Sequence, residues 1–527
     1  MTGIISDQAV TGKVLMSDGQ TIVYYSENPD LCSRVGDIVY LRDNRNTYCF
    51  KTHSVFKSDN VFQARAYFIF ALSGDKINFS ALPKPKPDDP VYRLNNNELE
   101  KFFAWNLGDE LTLNCFELRD LKINYPVQPE KLFAKHMGIF GCTGSGKSWS
   151  LASIIEECQN YNSKILLIDT SGEYKNFKKC VSLGFSEEGT FPFTLPYLEL
   201  LETDLYTIFQ PSDGMHLIKL KSAVKSLKLA KLEPKLSVGG YILKANRDKR
   251  EFNKAYQKHF KDVEKLDCKF DISKLPVQLQ NECVFPQQSA VEPNFWGGIN
   301  SHELALCAPL IGKIEAFLSD PDLKFIFDPN PKYPSLIEII KTFVEENSKQ
   351  ILRISLANLT TSLGIREVLV NITGRVLFHL AKQNLFMKRP LLFVIDEAHQ
   401  FLSEHALGFV KNFSLSSLEE IAKQSRKFSL CLVIATQQPR EISSLIISQL
   451  GCCLVHRLND PMDFELMRPI LALNDNNGFS QLSNLKTGEA YLAGVDFEKP
   501  VYVSVKPPDA KPISHNADFQ KGWKSSN

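Results

Sequence analysis

The sequence predicts an α/β protein: a mostly parallel sheet, a small β-domain ahead of it and a helical insertion within it. Three observations carry this. From residue 136 onward, apolar strand-like runs alternate with helix-length stretches. The first of those runs leads into a Gly-rich loop and then into a helix-compatible stretch. Ahead of them, the N-terminal residues are short runs rich in Val, Ile, Tyr and Phe, separated by turn residues.

In the N-terminal part the expected strands are Thr21–Tyr25, Asp37–Leu41 and Val61–Ala71. Pro83–Pro90 is expected as a loop or edge, because its prolines remove donors and restrict φ. Strand character resumes over Glu110–Leu118. The α/β part then offers Met137–Phe140, Ile165–Ile168, Ile351–Leu356, Leu391–Ile395, Leu430–Ala435 and Cys452–Val455, with Glu489–Leu492 and Val501–Val505 closing the series. About 180 residues separate the second of these from the third, too many for a simple crossover, so a helical subdomain is expected between them. The expected division is a β-domain at 1–125, a first part of the core at 126–205, a basic helical insertion at 206–300, a second part of the core at 301–510 and a tail at 511–527.

Across 527 residues, 61 Lys and Arg balance 60 Asp and Glu for a formal net charge of +1. A surface coated with nucleic acid is therefore excluded, and any basic site must be local. No apolar run approaches the roughly 18 residues of a membrane span, and Met1–Val10 lacks the pattern of a secretory signal. The 12 cysteines show no CxxC pair, which fits reduced core thiols of a cytoplasmic protein rather than a disulfide framework or zinc site.

The strongest chemical signal is Gly141-Cys142-Thr143-Gly144-Ser145-Gly146-Lys147-Ser148, a full match to GxxxxGK[ST] in the strand–loop–helix setting that the motif requires. Glycines let backbone N–H groups turn inward around phosphate oxygens, and the helix N-terminus adds partial positive charge. Lys147 is expected to reach the β- and γ-phosphates of ATP and Ser148 to hold Mg2+, with Trp149 completing the nucleotide-binding residues. A second signal supplies the acidic partners. Leu391–Ile395 runs into Asp396 and Glu397, the first suited to the Mg2+ shell and the second to polarising an attacking water. The DEAH string made with Ala398 and His399 is too short to carry a label by itself. After Leu430–Ala435 comes Thr436-Gln437-Gln438, where Gln437 is either a nucleotide sensor or a solvated strand end.

Taken in order, these residues resemble the HerA family, ring-shaped P-loop ATPases related to the FtsK DNA pumps. The resemblance runs from His136 through the loop to Ser148, and continues in Asp169-Thr-Ser-Gly-Glu-Tyr174, in Asp396–His399 and in Ile421–Phe428. It extends through Thr436–Pro439, Gln449–Asp463 and Gly488-Glu489-Ala490, and it covers residues 130–175 and 350–505. It implies a RecA-like core, an N-terminal HAS-barrel and a homohexamer. It also implies ATP- and Mg2+-dependent movement of double-stranded DNA, and a partner: a NurA-like nuclease, a sirtuin-like enzyme or another effector of DNA end processing or anti-phage defence. A membrane is not among the implied partners. Arg426 is carried over as the residue reaching a neighbour's nucleotide, the alternative being a surface arginine or one acting within its own subunit. The sequence departs from the pattern at Ser425-Arg426-Lys427 and at Gln437-Gln438-Pro439, so no arginine role is carried over to position 438. A scaffold that assembles an effector with little translocation is the alternative function.

Within the insertion, Met215–Phe270 holds 15 Lys or Arg against 6 Asp or Glu. Lys221, Lys225 and Lys228 share one helical face. That face is read as a DNA-facing stripe, a solvated surface or a docking surface. Phe295–Ile299 is read as a core aromatic in a Gly turn, and His379, His399 and His456 as structural.

Overall fold

The computed structural model describes residues 10–513 except 28–32, 35–36, 44–45, 59–60, 74–75, 79–82, 95–109, 120–121, 213, 329–331, 360–363, 404–416, 472–477 and 498. The first nine residues of the expected β-domain and the expected tail beyond 513 lie outside the described residues.

The N-terminal strands are β1 (Val10–Ser17), β2 (Thr21–Ser26), β3 (Ile38–Arg42), β4 (Asn46–Ser58), β5 (Val61–Ser73), β6 (Lys76–Asn78) and β7 (Pro90–Leu94). They pair in the order β2-β1-β7-β3-β4-β5-β6, and β2 also pairs with β5. That extra pairing closes six antiparallel strands into a barrel and leaves β6 as an extension of β5. Val14, Ile22, Tyr24, Val39 and Phe50 fill its interior. Pro90 opens β7, a position where a missing N–H is tolerated.

The second sheet is built from β8 (Phe116–Leu118), β9 (Ile123–Asn124), β10 (His136–Phe140), β11 (Lys164–Asp169), β12 (Cys180–Leu183) and β13 (Ile351–Ser355), followed by β14 (Leu391–Ile395), β15 (Leu430–Thr436), β16 (Leu450–Val455), β17 (Glu489–Gly494) and β18 (Val501–Val505). Their order is β12-β13-β11-β14-β15-β10-β16-β17-β18-β8-β9, parallel from β12 to β16 and antiparallel beyond. β10, β11, β13, β14 and β15 are buried along their whole length, because helices cover both faces. The Ile365–Lys382 and Ser417–Gln424 helices pack on one face. The Lys147–Gln159 helix packs on the other, in a core shared with Tyr40, Cys49 and Phe70 of the barrel.

Three expectations change. β8 and β9, expected within the N-terminal domain, extend the core sheet through β18, because Phe116 and Leu118 pack under that sheet rather than in the barrel. The helical layer does not stop at residue 300: Ser301–Ser319, Pro321–Phe327 and Leu336–Glu345 continue it, with Leu310 and Ile314 in the same core as Leu220 and Val224. The Lys221, Lys225 and Lys228 face of the Met215–Leu232 helix is engaged within the chain rather than simply solvated. Lys228 is 3% exposed and pairs with Glu202, Lys225 pairs with Glu264 at 2.6 Å, and Lys221 lies 6.0 Å from the Tyr206 ring centroid. The helical period did align these lysines, but two of the three meet acidic neighbours of the same chain.

Candidate nucleotide site

Parallel pairing brings the candidate residues level. Phe140 lies opposite Thr436, Ile395 opposite Ile434, and Ile168 opposite Ile395. The segments after β10, β11, β14 and β15 therefore emerge along one edge, the carboxyl end where open α/β sheets bind ligands.

The Gly141–Ser148 loop leaves β10 and enters the Lys147–Gln159 helix. Gly146 caps that helix at φ +102°, and a Cβ there would sit 2.7 Å from the Gly488 nitrogen. Both the conformation and the close approach require glycine. The approach is used: Gly488 N–H donates to the Ser145 carbonyl at 2.9 Å, and the Thr487 hydroxyl donates to the Gly144 carbonyl at 3.1 Å. The start of β17 thus braces the loop, which places the Gly488–Ala490 element of the sequence pattern. On the other side, Cys142 N–H donates to the Arg457 carbonyl at 2.9 Å.

Lys147, 5% exposed, donates to Glu397 Oε1 at 3.0 Å. Gln437 donates to the same oxygen at 2.6 Å and accepts from the Thr143 hydroxyl. Glu397 stands at φ +46°, a left-handed conformation costly for a residue with a Cβ and held here at the end of β14. Its Oε2 accepts no hydrogen bond and lies 3.4 Å from His399 Nδ1. His399, read from sequence as structural, therefore belongs to this cluster, as does Gln437.

Asp396 is 2% exposed, and its Oδ1 has no hydrogen-bond partner. Burial pushes its carboxyl up to about 8, opposed by Lys147 and reinforced by Glu397, Asp169 and Glu173. Glu173 is also raised by burial, and the Ser148 hydroxyl facing it pulls the other way. Among the described residues no group of three or more His, Cys, Asp or Glu forms a cage for a metal ion. Mg2+ at phosphate sites takes one or two protein ligands and otherwise water and phosphate oxygens. Ser148 and Asp396, with its orphaned oxygen, fit that requirement.

Further buried groups pack around the site, and of these Arg353 and Glu187 were not singled out by sequence. Asp169, wholly buried at the end of β11, accepts from the N–H groups of Gly172 and Tyr174 at 2.8 and 3.0 Å. It also accepts from Arg353 Nε at 2.7 Å, and Arg353 Nη2 reaches Glu187 at 2.9 Å. Arg353 interrupts the apolar Ile351–Leu356 run, and a charge inside a strand buried on both faces was the available signal. His456 packs beneath the loop, where a Cβ on Gly141 would meet its Cβ at 2.7 Å. Its Nδ1 donates to the Glu489 carbonyl at 2.9 Å, and burial, aided by Lys147, lowers it to about 4. His136 spans the starts of β10 and β15: Leu432 N–H donates to its Nδ1 at 3.0 Å and its Nε2 donates to the Ala422 carbonyl at 3.0 Å.

Arg426 is not brought to this edge. It lies in the Ser425–Phe428 turn that precedes β15, on a cavity of about 450 Å³ shared with Phe133, Tyr161 and Leu430. A strand of five residues, roughly 16 Å, separates that end of the sheet from the phosphate loop. Arg426 thus stands at the opposite end of the sheet from the loop of its own chain.

The family model described as "Helicase HerA, central domain" matches residues 117–360. The chain is 22% identical over 528 residues to the DNA double-strand break repair helicase HerA of Sulfolobus acidocaldarius, an alignment covering 97% of this chain and 91% of that one. It is 24% identical over 477 residues to the protein of the same name from Sulfurisphaera tokodaii, with 88% and 82% covered. Among solved structures, the plasmid coupling protein TrwB in complex with ADP and Mg2+ is similar at 14% identity, with 81% of this chain and 94% of that one covered and a TM-score of 0.45.

Proposed function

We propose that the chain is an ATPase of the HerA helicase type, a DNA double-strand break repair helicase that moves duplex DNA at the expense of ATP. The observation that supports this reading most is the convergence on Glu397 Oε1 of Lys147 from the phosphate loop and Gln437 from the end of β15.

In this proposal the loop amides from Gly141 to Trp149 and the Lys147 ammonium bind the triphosphate. Ser148 and Asp396 would hold Mg2+, which when bound would neutralise charge on the phosphate oxygens. Glu397 takes the proton of the attacking water at Oε2, the oxygen free of hydrogen bonds. Gln437, tied to both Thr143 and Glu397, reports the occupant of the loop to the end of β15. Arg426, remote from its own loop, reaches the nucleotide of a neighbouring subunit in a homohexamer. The partner is a NurA-like nuclease or another effector, in DNA end processing or anti-phage defence. No helix among the described residues is long and apolar enough to cross a membrane, and the proposed setting is the cytoplasm.

The test is ATP turnover by the purified chain with and without duplex DNA, together with displacement of a bound block from the duplex. DNA-stimulated turnover with displacement supports the proposal. Turnover indifferent to DNA, with no displacement, favours the scaffold that assembles an effector.

A further inference from the structure

The segment after β18 does not leave the molecule. Lys506 N–H donates to the Cys115 carbonyl at 2.8 Å, and the chain then runs back along the outside of the Lys147–Gln159 helix. The N–H groups of Asp509 and Ala510 both donate to the Glu156 carboxylate, at 2.7 and 3.2 Å. Further on, the Asn176 amide donates to the Lys511 carbonyl at 2.9 Å, and Ile513 N–H donates to the Glu173 carbonyl at 2.9 Å. Pro508 and Pro512 are buried and restrict the strap to an extended course. Trp149, Ser153 and Glu156 fall on one side of the helix by its 3.6-residue period, so the strap runs along that side from the end of the helix to its beginning.

At the beginning stands Trp149, 39% exposed, with the Lys511 ammonium 6.0 Å from its ring centroid. An exposed indole in the first turn of a helix gains nothing from burial here and needs another reason. Backbone N–H groups of that turn are free to bind phosphate. Lys147 serves the terminal phosphates, so the amides after it serve phosphates nearer the sugar. With the nucleotide in the orientation usual for such a loop, the Trp149 side chain would stand beside ribose and base.

We propose that Trp149 and the 507–513 strap form the nucleobase subsite of this chain. The base stacks on the Trp149 ring, and Lys511, held by the strap, fixes the ring and closes the open side. The occupant is the purine of a nucleoside triphosphate, whose larger π-face stacks better than a pyrimidine. This rests on the reading of Gly141–Ser148 as the ATP site, and it makes the segment after β18 part of nucleotide binding.

The experiment measures binding of ATP and of inorganic tripolyphosphate to the full chain by calorimetry. Tripolyphosphate occupies the phosphate loop and carries no base. Trp149→Ala and Lys511→Ala are each expected to weaken ATP about tenfold, in line with the loss of one base–aromatic stack, and tripolyphosphate less than twofold. Trp149→Phe is expected to restore most of the ATP affinity, and ATP alone to quench the fluorescence that Trp149→Phe removes. Equal weakening of ATP and tripolyphosphate overturns the proposal, because it places the damage in the phosphate loop. ATP affinity unchanged in both alanine variants overturns it as well. If the wild-type chain binds neither ligand, it is the ATP site itself that falls.

Discussion

Lys147 of the phosphate loop and Glu397 after β14 are joined at 3.0 Å, an ion pair between residues that the chain separates by 250 positions. On the proposed function the pair couples the cation for phosphate to the carboxylate for water, so each holds the other in place. Its two halves have different consequences when removed. Glu397→Gln keeps shape and the Gln437 contact but loses the proton acceptor. ATP affinity is expected to stay within a few-fold while turnover falls about 10²- to 10⁴-fold, as for loss of a general base. Lys147→Ala is expected to weaken ATP binding itself. Filter binding and steady-state turnover separate the two, and wild-type turnover by Glu397→Gln would place the base elsewhere.

The Asp169–Arg353–Glu187 network is expected to matter for folding. Arg353 is 1% exposed and Asp169 wholly buried, so Arg353→Ala leaves Asp169 without its cation, while Glu187 keeps Lys175 at 2.9 Å. Breaking a buried pair of this kind costs about 3–5 kcal/mol. Chemical denaturation should register it as a lower midpoint. Arg353→Ala with an unchanged midpoint would show that the network is relieved by water or by protonation.

Acid sensitivity is expected from His456. Its folded value of about 4 lies below the ordinary 6.5, because burial penalises the cation. The unfolded chain therefore binds a proton that the folded chain refuses between those values. The stability contributed is full above about 6.5 and is lost as the pH falls toward 4, a change of about 3 kcal/mol by linkage. His456→Asn, whose amide can replace the donor to the Glu489 carbonyl, is expected to flatten the denaturation midpoint across that window. An unchanged slope in the variant assigns the window to other groups.

Lys228 is a test of the insertion. With Glu202 as its partner and 3% exposure, Lys228→Met is expected to lower stability by about 3–5 kcal/mol. The salt dependence of duplex DNA binding should not move, since a buried lysine releases no counterion from phosphate. A shallower salt slope in Lys228→Met would return this face to the DNA.

Arg426 calls for mixed rings. Arg426→Ala and Glu397→Gln subunits are each expected to be inactive alone, given that an arginine reaching a neighbour's phosphoryl group is worth as much as 10³–10⁵ in rate. Mixed assemblies contain interfaces in which an intact Glu397 meets an intact Arg426 from the next subunit, and these should recover turnover. Mixed rings of confirmed mass that stay inactive reject the trans role.

Sequence by itself determined most strands of the core, because a strand covered on both faces is mostly apolar, with Arg353 of β13 the exception. Leu391–Ile395 and Val501–Val505 appear with the ends expected of them, each between a proline and a charged residue. It also singled out the Gly141–Ser148 loop and the Asp396–Glu397 pair, which the fold sets at one edge of the sheet. Tertiary structure decided the rest. Only the parallel register shows that Gln437 meets Glu397 and that His399 stands beside it. Only packing turns Lys228 from a surface charge into a buried one, since a helical period states which residues share a face and not what that face meets. Only the path of the chain after β18 brings Lys511 over Trp149. In each case the decisive contact joins residues far apart in sequence, and no local pattern encodes the partner.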